Sequence, residues 1–189
     1  MSTIDPRPVH TPDDLLGMSD DVHYELVNGR LVEKHMGWEA SLIATVLTRL
    51  ISRYDPDYQQ GHVIVEGSYQ CFPDDPTKVQ KPDVSFIRRE KLIGQKRAKG
   101  HSSIVPDLIV EVISPNDIFA DIEERIEEHF RAGVSLAWII NPDTRIILVY
   151  HADRSESSRL REGDELVGEH VLPGFRCGVR DIFGPLELM

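Results

Sequence analysis

Between residues 38 and 54, apolar side chains recur every three or four positions: Ile43, Val46, Leu47, Leu50, Ile51 and Tyr54. That spacing puts one apolar stripe on an α-helix, and Asp55-Pro56 marks its end. A second stripe, Ile118, Ile122, Ile126 and Phe130, predicts a helix from Asn116 to Ala132. Asn116 or Asp117 would cap it, and Gly133 would end it. A shorter helix fits Thr11 to Met18. Thr11 suits the cap, Pro12 the first position, and Asp13 and Asp14 the positive end of the helix.

Elsewhere the period shortens to two. Tyr24-Glu25-Leu26-Val27 and Arg30-Leu31-Val32-Glu33 flank Asn28-Gly29, the residue pair that best supplies the two positive φ angles of a tight hairpin turn. Residues 62–66, 68–72 and 82–87 read as short strands. Residues 108–113 are apolar on both faces apart from Glu111, the pattern of a central strand covered on both sides. Residues 136–140 and 146–150 flank Asn141-Pro142-Asp143-Thr144 and predict another hairpin. From Leu160 the chain reads as short strands ending near Phe183. Helices inserted among strands predict a mixed α/β or α+β sandwich around one sheet.

Composition narrows the class. A chain of 189 residues with 40% hydrophobic and 28% charged positions is an ordinary globular sequence. Its length predicts one domain over residues 11–189, preceded by a loose Pro-rich segment at 1–10. Two cysteines, Cys71 and Cys177, are too few for a disulfide framework and predict reduced thiols. The first residues lack the basic-then-apolar pattern of a signal peptide, and no apolar run approaches the roughly 18 residues of a membrane span. A cytoplasmic protein is the expectation.

Alternation places the candidate chemistry. Leu108, Val110 and Val112 point one way; Asp107, Ile109, Glu111 and Ile113 point the other. Glu111 thus falls mid-strand among apolar neighbours, where an unpaired carboxylate would be costly. It must pair with a cation, face an uncovered part of the sheet, or serve as a metal ligand or base. Asp83 repeats the pattern, sharing a face with Ser85 and Ile87 against Val84 and Phe86. Carboxylates on adjacent strands, about 4.8 Å apart, can share one hard divalent cation.

These residues carry a resemblance. Pro82-Asp83, then Glu111-Val112-Ile113-Ser114-Pro115, then a helix, resembles the PD-(D/E)XK phosphodiesterase superfamily. The nearer likeness is to its Uma-two branch of bacterial endonucleases. That likeness also rests on Tyr24–Gly29, Met36-Gly37-Trp38-Glu39, Pro106-Asp107-Leu108, Ala132-Gly133-Val134, Trp138–Pro142 and Leu172-Pro173-Gly174-Phe175. It spans residues 11–184. It implies a restriction-endonuclease-like mixed sheet flanked by helices, with a DNA substrate and Mg²⁺ or Mn²⁺ held by Asp83 and Glu111. The backbone carbonyl of Val112 would be a further ligand. Glu25 on the hairpin or Glu39 on the helix would complete the site. Two active sites for two strands imply a homodimer.

One departure concerns the superfamily's lysine. It stands two residues after the second acid, where this chain has Ile113. The nearer family places a Lys on the next helix, at a position that corresponds to Arg125. Arginine keeps the charge and can offset charge in a transition state, but it is not a general base. Water activation would then fall to the metal. The alternative for Arg125 is a surface pair with Asp121 or Glu128.

Charge adds a substrate argument. The formal charge of −11 argues against general nucleic-acid coating. Yet residues 78–101 hold eight Lys or Arg against two acids, net +6, leaving −17 for the rest. Lys81, Arg88, Arg89, Lys96, Arg97 and Lys99 are therefore candidates for phosphate contacts. Because their loop joins the strands of Asp83 and Glu111, it is expected to begin and end near the acids. The eight histidines lack zinc-hydrolase spacing. Ser114 lacks a nucleophile elbow, and no phosphate-binding glycine loop occurs, so a nucleotide cofactor is not expected. The leading expectation is a Mg²⁺-dependent DNA endonuclease. The rival is a protein that keeps the fold as a binding or assembly module. An RNA nuclease is a third, weaker option.

Overall fold

Asn28 and Gly29 take φ angles of 52° and 71°, so the expected hairpin forms between β1 (Tyr24–Val27) and β2 (Arg30–Glu33). This is seen in a computed structural model that describes residues 9–21, 24–34, 36–114, 117–153 and 157–188. Ahead of the hairpin, α1 (Pro12–Leu16) is closed by the reciprocal bonds of a capping box between Thr11 and Asp14. Residues 1–8 of the segment expected to be loose lie outside the described residues. His10 is tied down, its N–H donating to the Gly29 carbonyl at 2.8 Å.

Helix α2 (Trp38–Tyr54) has the expected bounds. Asp55 ends it, and its carboxylate accepts the N–H groups of Gln59, Gln60 and Gly61 at 2.8, 2.8 and 3.2 Å. That turn feeds β3 (Gly61–Val65), which pairs antiparallel with β4 (Val84–Arg88). The stretch 68–72 is not a strand. Tyr69 makes only isolated bridges to Gln80 and Ser102, and its hydroxyl instead meets Ser85 Oγ at 2.6 Å inside the protein. A four-residue helix, α3 (Arg89–Leu92), follows β4. The sequence pattern gave no sign of it.

β5 (Leu108–Val112) runs antiparallel to β4 and parallel to β6 (Leu136–Asn141). A parallel pair needs a crossover, and α4 (Phe119–Ala132) supplies it. Gly133, at φ 108°, ends α4 in the left-handed region. The capping expectation is corrected: Asp117 accepts the Ser114 N–H at 2.7 Å, and the cap position falls to Ile118, whose side chain makes no capping bond. Asn116 lies outside the described residues. β6 pairs with β7 (Ile146–His151), and β7 with β8 (Ser158–Leu160). The six-stranded sheet has the order β3-β4-β5-β6-β7-β8. The tail adds a separate two-stranded pair, β9 (Glu165–Val167) with β10 (Arg176–Gly178). It then turns helical as α5 (Val179–Phe183) and a 3₁₀ turn, where strands had been expected.

Two apolar layers hold the sheet. On one face, Val84, Phe86, Leu108, Val110, Val112 and Trp138 pack against α2 and α5. On the other, Ile109, Ala137 and Ile139 pack against Ile122 and Ile126 of α4. All five residues of β5 are therefore buried, including Glu111.

Candidate functional site

The register brings the two strand acids together. Val84 lies opposite Val110, so one residue further along the antiparallel pair sets Asp83 opposite Glu111. Asp83 Oδ2 accepts the Val112 N–H at 2.7 Å. The carboxylates of Asp83 and Glu111 both reach one cation, the Lys34 ammonium, at 3.0 and 3.2 Å. Lys34 follows β2 directly and also donates to the Lys81 carbonyl. Nothing in the sequence pattern singled it out.

The hairpin docks by exchanging two 2.8 Å backbone bonds between Leu26 and Val79. Leu26 turns into a small apolar cluster with Leu15 and Val79. Its neighbour Glu25 therefore turns the other way, into the site, and is 0% exposed. Glu25 accepts the Lys81 N–H at 2.6 Å. Arg125, one position before the buried Ile126, reaches across from α4. It donates to Glu25 at 2.5 and 3.1 Å and to Glu111 at 2.9 Å. Asp121 and Glu128 are thus not its partners. Glu128 is held instead by Lys78 and by Gln80 Nε2, the latter at 2.7 Å.

Charge follows from these contacts. Burial raises Asp83 to about 6, with the Glu111 charge adding to the rise and Lys34 opposing it. Burial also pushes Glu111 upward, but Arg125 and Lys34 together outweigh it and hold Glu111 down to about 2. Lys34 and Arg125 are each raised, because their carboxylate neighbours overcome the cost of burial. Both stay charged at neutral pH. His129 sits behind the site, fully buried against Phe72 at 5.3 Å between ring centres, and burial lowers it to about 3.

These groups open onto a cleft of about 540 Å³. Glu25, Lys34, Asp83, Glu111, Val112 and Arg125 all line it, and among the described residues acids outnumber cations there by eight to two. Among the described residues, no group of three or more His, Cys, Asp or Glu is gathered to hold a metal ion. The donor chemistry of Asp83 and Glu111 still suits Mg²⁺ or Mn²⁺. Mg²⁺ takes one or two carboxylates and leaves its other positions to water and phosphate.

Two groups singled out in the sequence stand apart from the acids. Glu39 is exposed in the first turn of α2 and does not line the cleft. The basic loop lies elsewhere, for a reason of direction. β4 and β5 are antiparallel, with Asp83 just before β4 and Glu111 near the end of β5. The loop that joins them therefore leaves from the opposite end, about 17 Å away for five extended residues. There Arg88 and Lys91 pair with Asp107 at 3.1 and 3.0 Å. Arg89 donates to Gln59 at 2.8 Å. Lys96 and Arg97 line a separate cleft of about 720 Å³ with Tyr69 and Ile104. Lys99 is exposed and lines neither cleft. Lys81 lies beside the site, but its ammonium is turned to the Asp21 carbonyl.

Comparison with known proteins gives the family and the fold. A family model described as "Uma2: Putative restriction endonuclease" matches residues 12–180. A crystal structure of a protein from Anabaena variabilis ATCC 29413, described as "a putative nuclease belonging to DUF820", superposes with a TM-score of 0.76. It is 18% identical, and the match covers 92% of this chain and 97% of that one. No curated protein matches the chain. No helix among the described residues is long and apolar enough to cross a membrane.

Proposed function

The chain belongs to the Uma2 family, and from that premise we propose that it is a metal-dependent endonuclease acting on DNA phosphodiester bonds. The observation that carries this reading is the convergence of the Asp83 and Glu111 carboxylates, from neighbouring strands, on one cation in an open cleft. Asp83 and Glu111 would hold Mg²⁺ or Mn²⁺, joined by the carbonyl of Val112, whose N–H already binds Asp83. When bound, such an ion acidifies water and draws charge from the phosphate.

The remaining residues supply orientation and charge. Arg125 fixes Glu25 and Glu111 through three hydrogen bonds and, remaining protonated, offsets negative charge on the phosphate without acting as a base. Glu25 is the third acid, held by Arg125 and the Lys81 N–H. The acidic lining favours phosphate entry only after cation binding. The cations at the far end of the sheet, Lys96, Arg97 and Lys99, would grip DNA away from the reaction. Cutting both strands of a duplex would take two copies of the chain.

The test is supercoiled plasmid incubated with Mg²⁺ or Mn²⁺ and the parent, Asp83→Ala or Glu111→Ala protein. Nicked or linear product from the parent alone is expected. Equal cutting by all three would remove the two acids from the reaction. A second reading rests on the same cleft: Lys34 and Arg125 already neutralise its central acids, and eight acids line it. On that reading the chain keeps the fold for binding or assembly. A parent that neither cuts plasmid nor binds a divalent ion would favour it.

A further inference from the structure

We propose that Lys34 holds the place of the divalent ion in the metal-free protein, and that ion binding releases its ammonium to the substrate phosphate. This rests on the metal-dependent reading above. The Lys34 ammonium has three protons and three acceptors: Asp83 Oδ1 at 3.0 Å, Glu111 Oε2 at 3.2 Å and the Lys81 carbonyl. Two of these are the carboxylate oxygens a shared ion would need. An ammonium and a divalent ion cannot both sit between them, so one displaces the other.

Arg125 does not take this part. It touches Glu111 through the other oxygen, Oε1, and its remaining contacts are to Glu25. Among the described residues, Lys34 is the one cation paired with Asp83. Its four-carbon stem has the rotamers to swing outward, and it follows a hairpin that forms a two-stranded sheet apart from the central one. Its side chain is 16% exposed. Turning it outward disturbs no strand of the central sheet. Once freed, it is one of two cations among the described residues that line the cleft, and Arg125 is already bonded to two carboxylates. Lys34 then adds to Arg125 a second positive charge, one not held by carboxylates, to meet a phosphate.

The test measures Mn²⁺ and Mg²⁺ binding by calorimetry, and plasmid cleavage, on the full chain as parent, Lys34→Met, Lys34→Gln and Asp83→Asn. Two Lys34 variants are included so that misfolding of one does not end the test. Removing the competing ammonium should tighten ion binding by at least about tenfold, since a unit charge at this distance is worth that much or more. Cleavage should fall about a hundredfold, the scale of losing one preorganised charged group. A lysine that only braces the fold would not move these two readouts in opposite directions. If the parent binds the ion and Asp83→Asn does not, while both Lys34 variants bind no more tightly than the parent, the displacement is overturned and the metal reading stands. If neither parent nor Lys34 variants bind an ion, both fall.

Discussion

Removing the Arg125 guanidinium would strand a buried charge. In Arg125→Met, Glu25 loses hydrogen bonds of 2.5 and 3.1 Å and Glu111 loses one of 2.9 Å. Glu111 keeps Lys34 at 3.2 Å. Glu25 is 0% exposed and keeps the Lys81 N–H at 2.6 Å, which cannot balance a full charge. Removing one partner of a buried ion pair costs about 3–5 kcal/mol. Because the Arg125 side chain is 23% exposed, water softens the loss, and about 3 kcal/mol is expected. For a domain of this size, that lowers Tm by about 6–12 °C. Adding Glu25→Gln removes the stranded charge, so the double variant should recover about 2 kcal/mol of the loss. The assay is urea unfolding followed by far-UV circular dichroism on the parent, both single variants and the double. A cost below about 1 kcal/mol for Arg125→Met, or strictly additive singles, would refute the claim that this pair is buried and coupled.

Three further outcomes follow from the same geometry. Asp83 is raised from 3.8 to about 6, so its contribution to stability is present below about pH 4 and lost as pH rises through 6. Relative to Asp83→Asn, the metal-free parent should lose up to about 3 kcal/mol between pH 4 and 7, and a constant gap in urea titrations would contradict this. Glu111, held near 2 against an ordinary 4.5, works the other way and matters only in acid below that ordinary value. Glu39→Ala should leave ion binding and cleavage at parent levels, because Glu39 is exposed outside the cleft; loss of either would restore it to the site. Asp55→Ala leaves three backbone N–H groups without their carboxylate and should cost about 2 kcal/mol, a Tm drop of about 4–8 °C by calorimetric scan. An unchanged Tm would show that water replaces the cap.

Local patterns were enough for the elements that make the frame. The α2 stripe, the Asn28-Gly29 turn and Gly133 at the end of α4 each act within a few residues, so periodicity and φ preference identify them. The meeting of Asp83 and Glu111 was legible for a related reason: a carboxylate inside an alternating apolar run conflicts with its neighbours and must find a partner, here Lys34 for both. The stretch 68–72 misled because Tyr69 looks like a strand residue but spends its hydroxyl on Ser85. Short alternation does not record which partner a backbone finds. The helical end of the tail was missed for the same reason: Val179, Ile182 and Phe183 pack into the core, and three apolar residues fit either period.

The sequence by itself determined the family, the mixed sheet with its helices, and the two strand acids. Tertiary structure alone decided what surrounds those acids. Lys34 lies 49 residues before Asp83 and 77 before Glu111, and no local signal spans such separations. Its place follows from hairpin docking at Val79, a packing event between distant segments. That docking also turns Glu25, the residue beside Leu26, into the cleft, which Glu39 does not line. Strand direction decided the fate of the basic loop. A loop between antiparallel neighbours leaves from one end of the pair, and the acids stand at the other. The +6 segment contains Asp83, yet most of its cations lie at the far end of the strand pair, and the cleft itself is acidic.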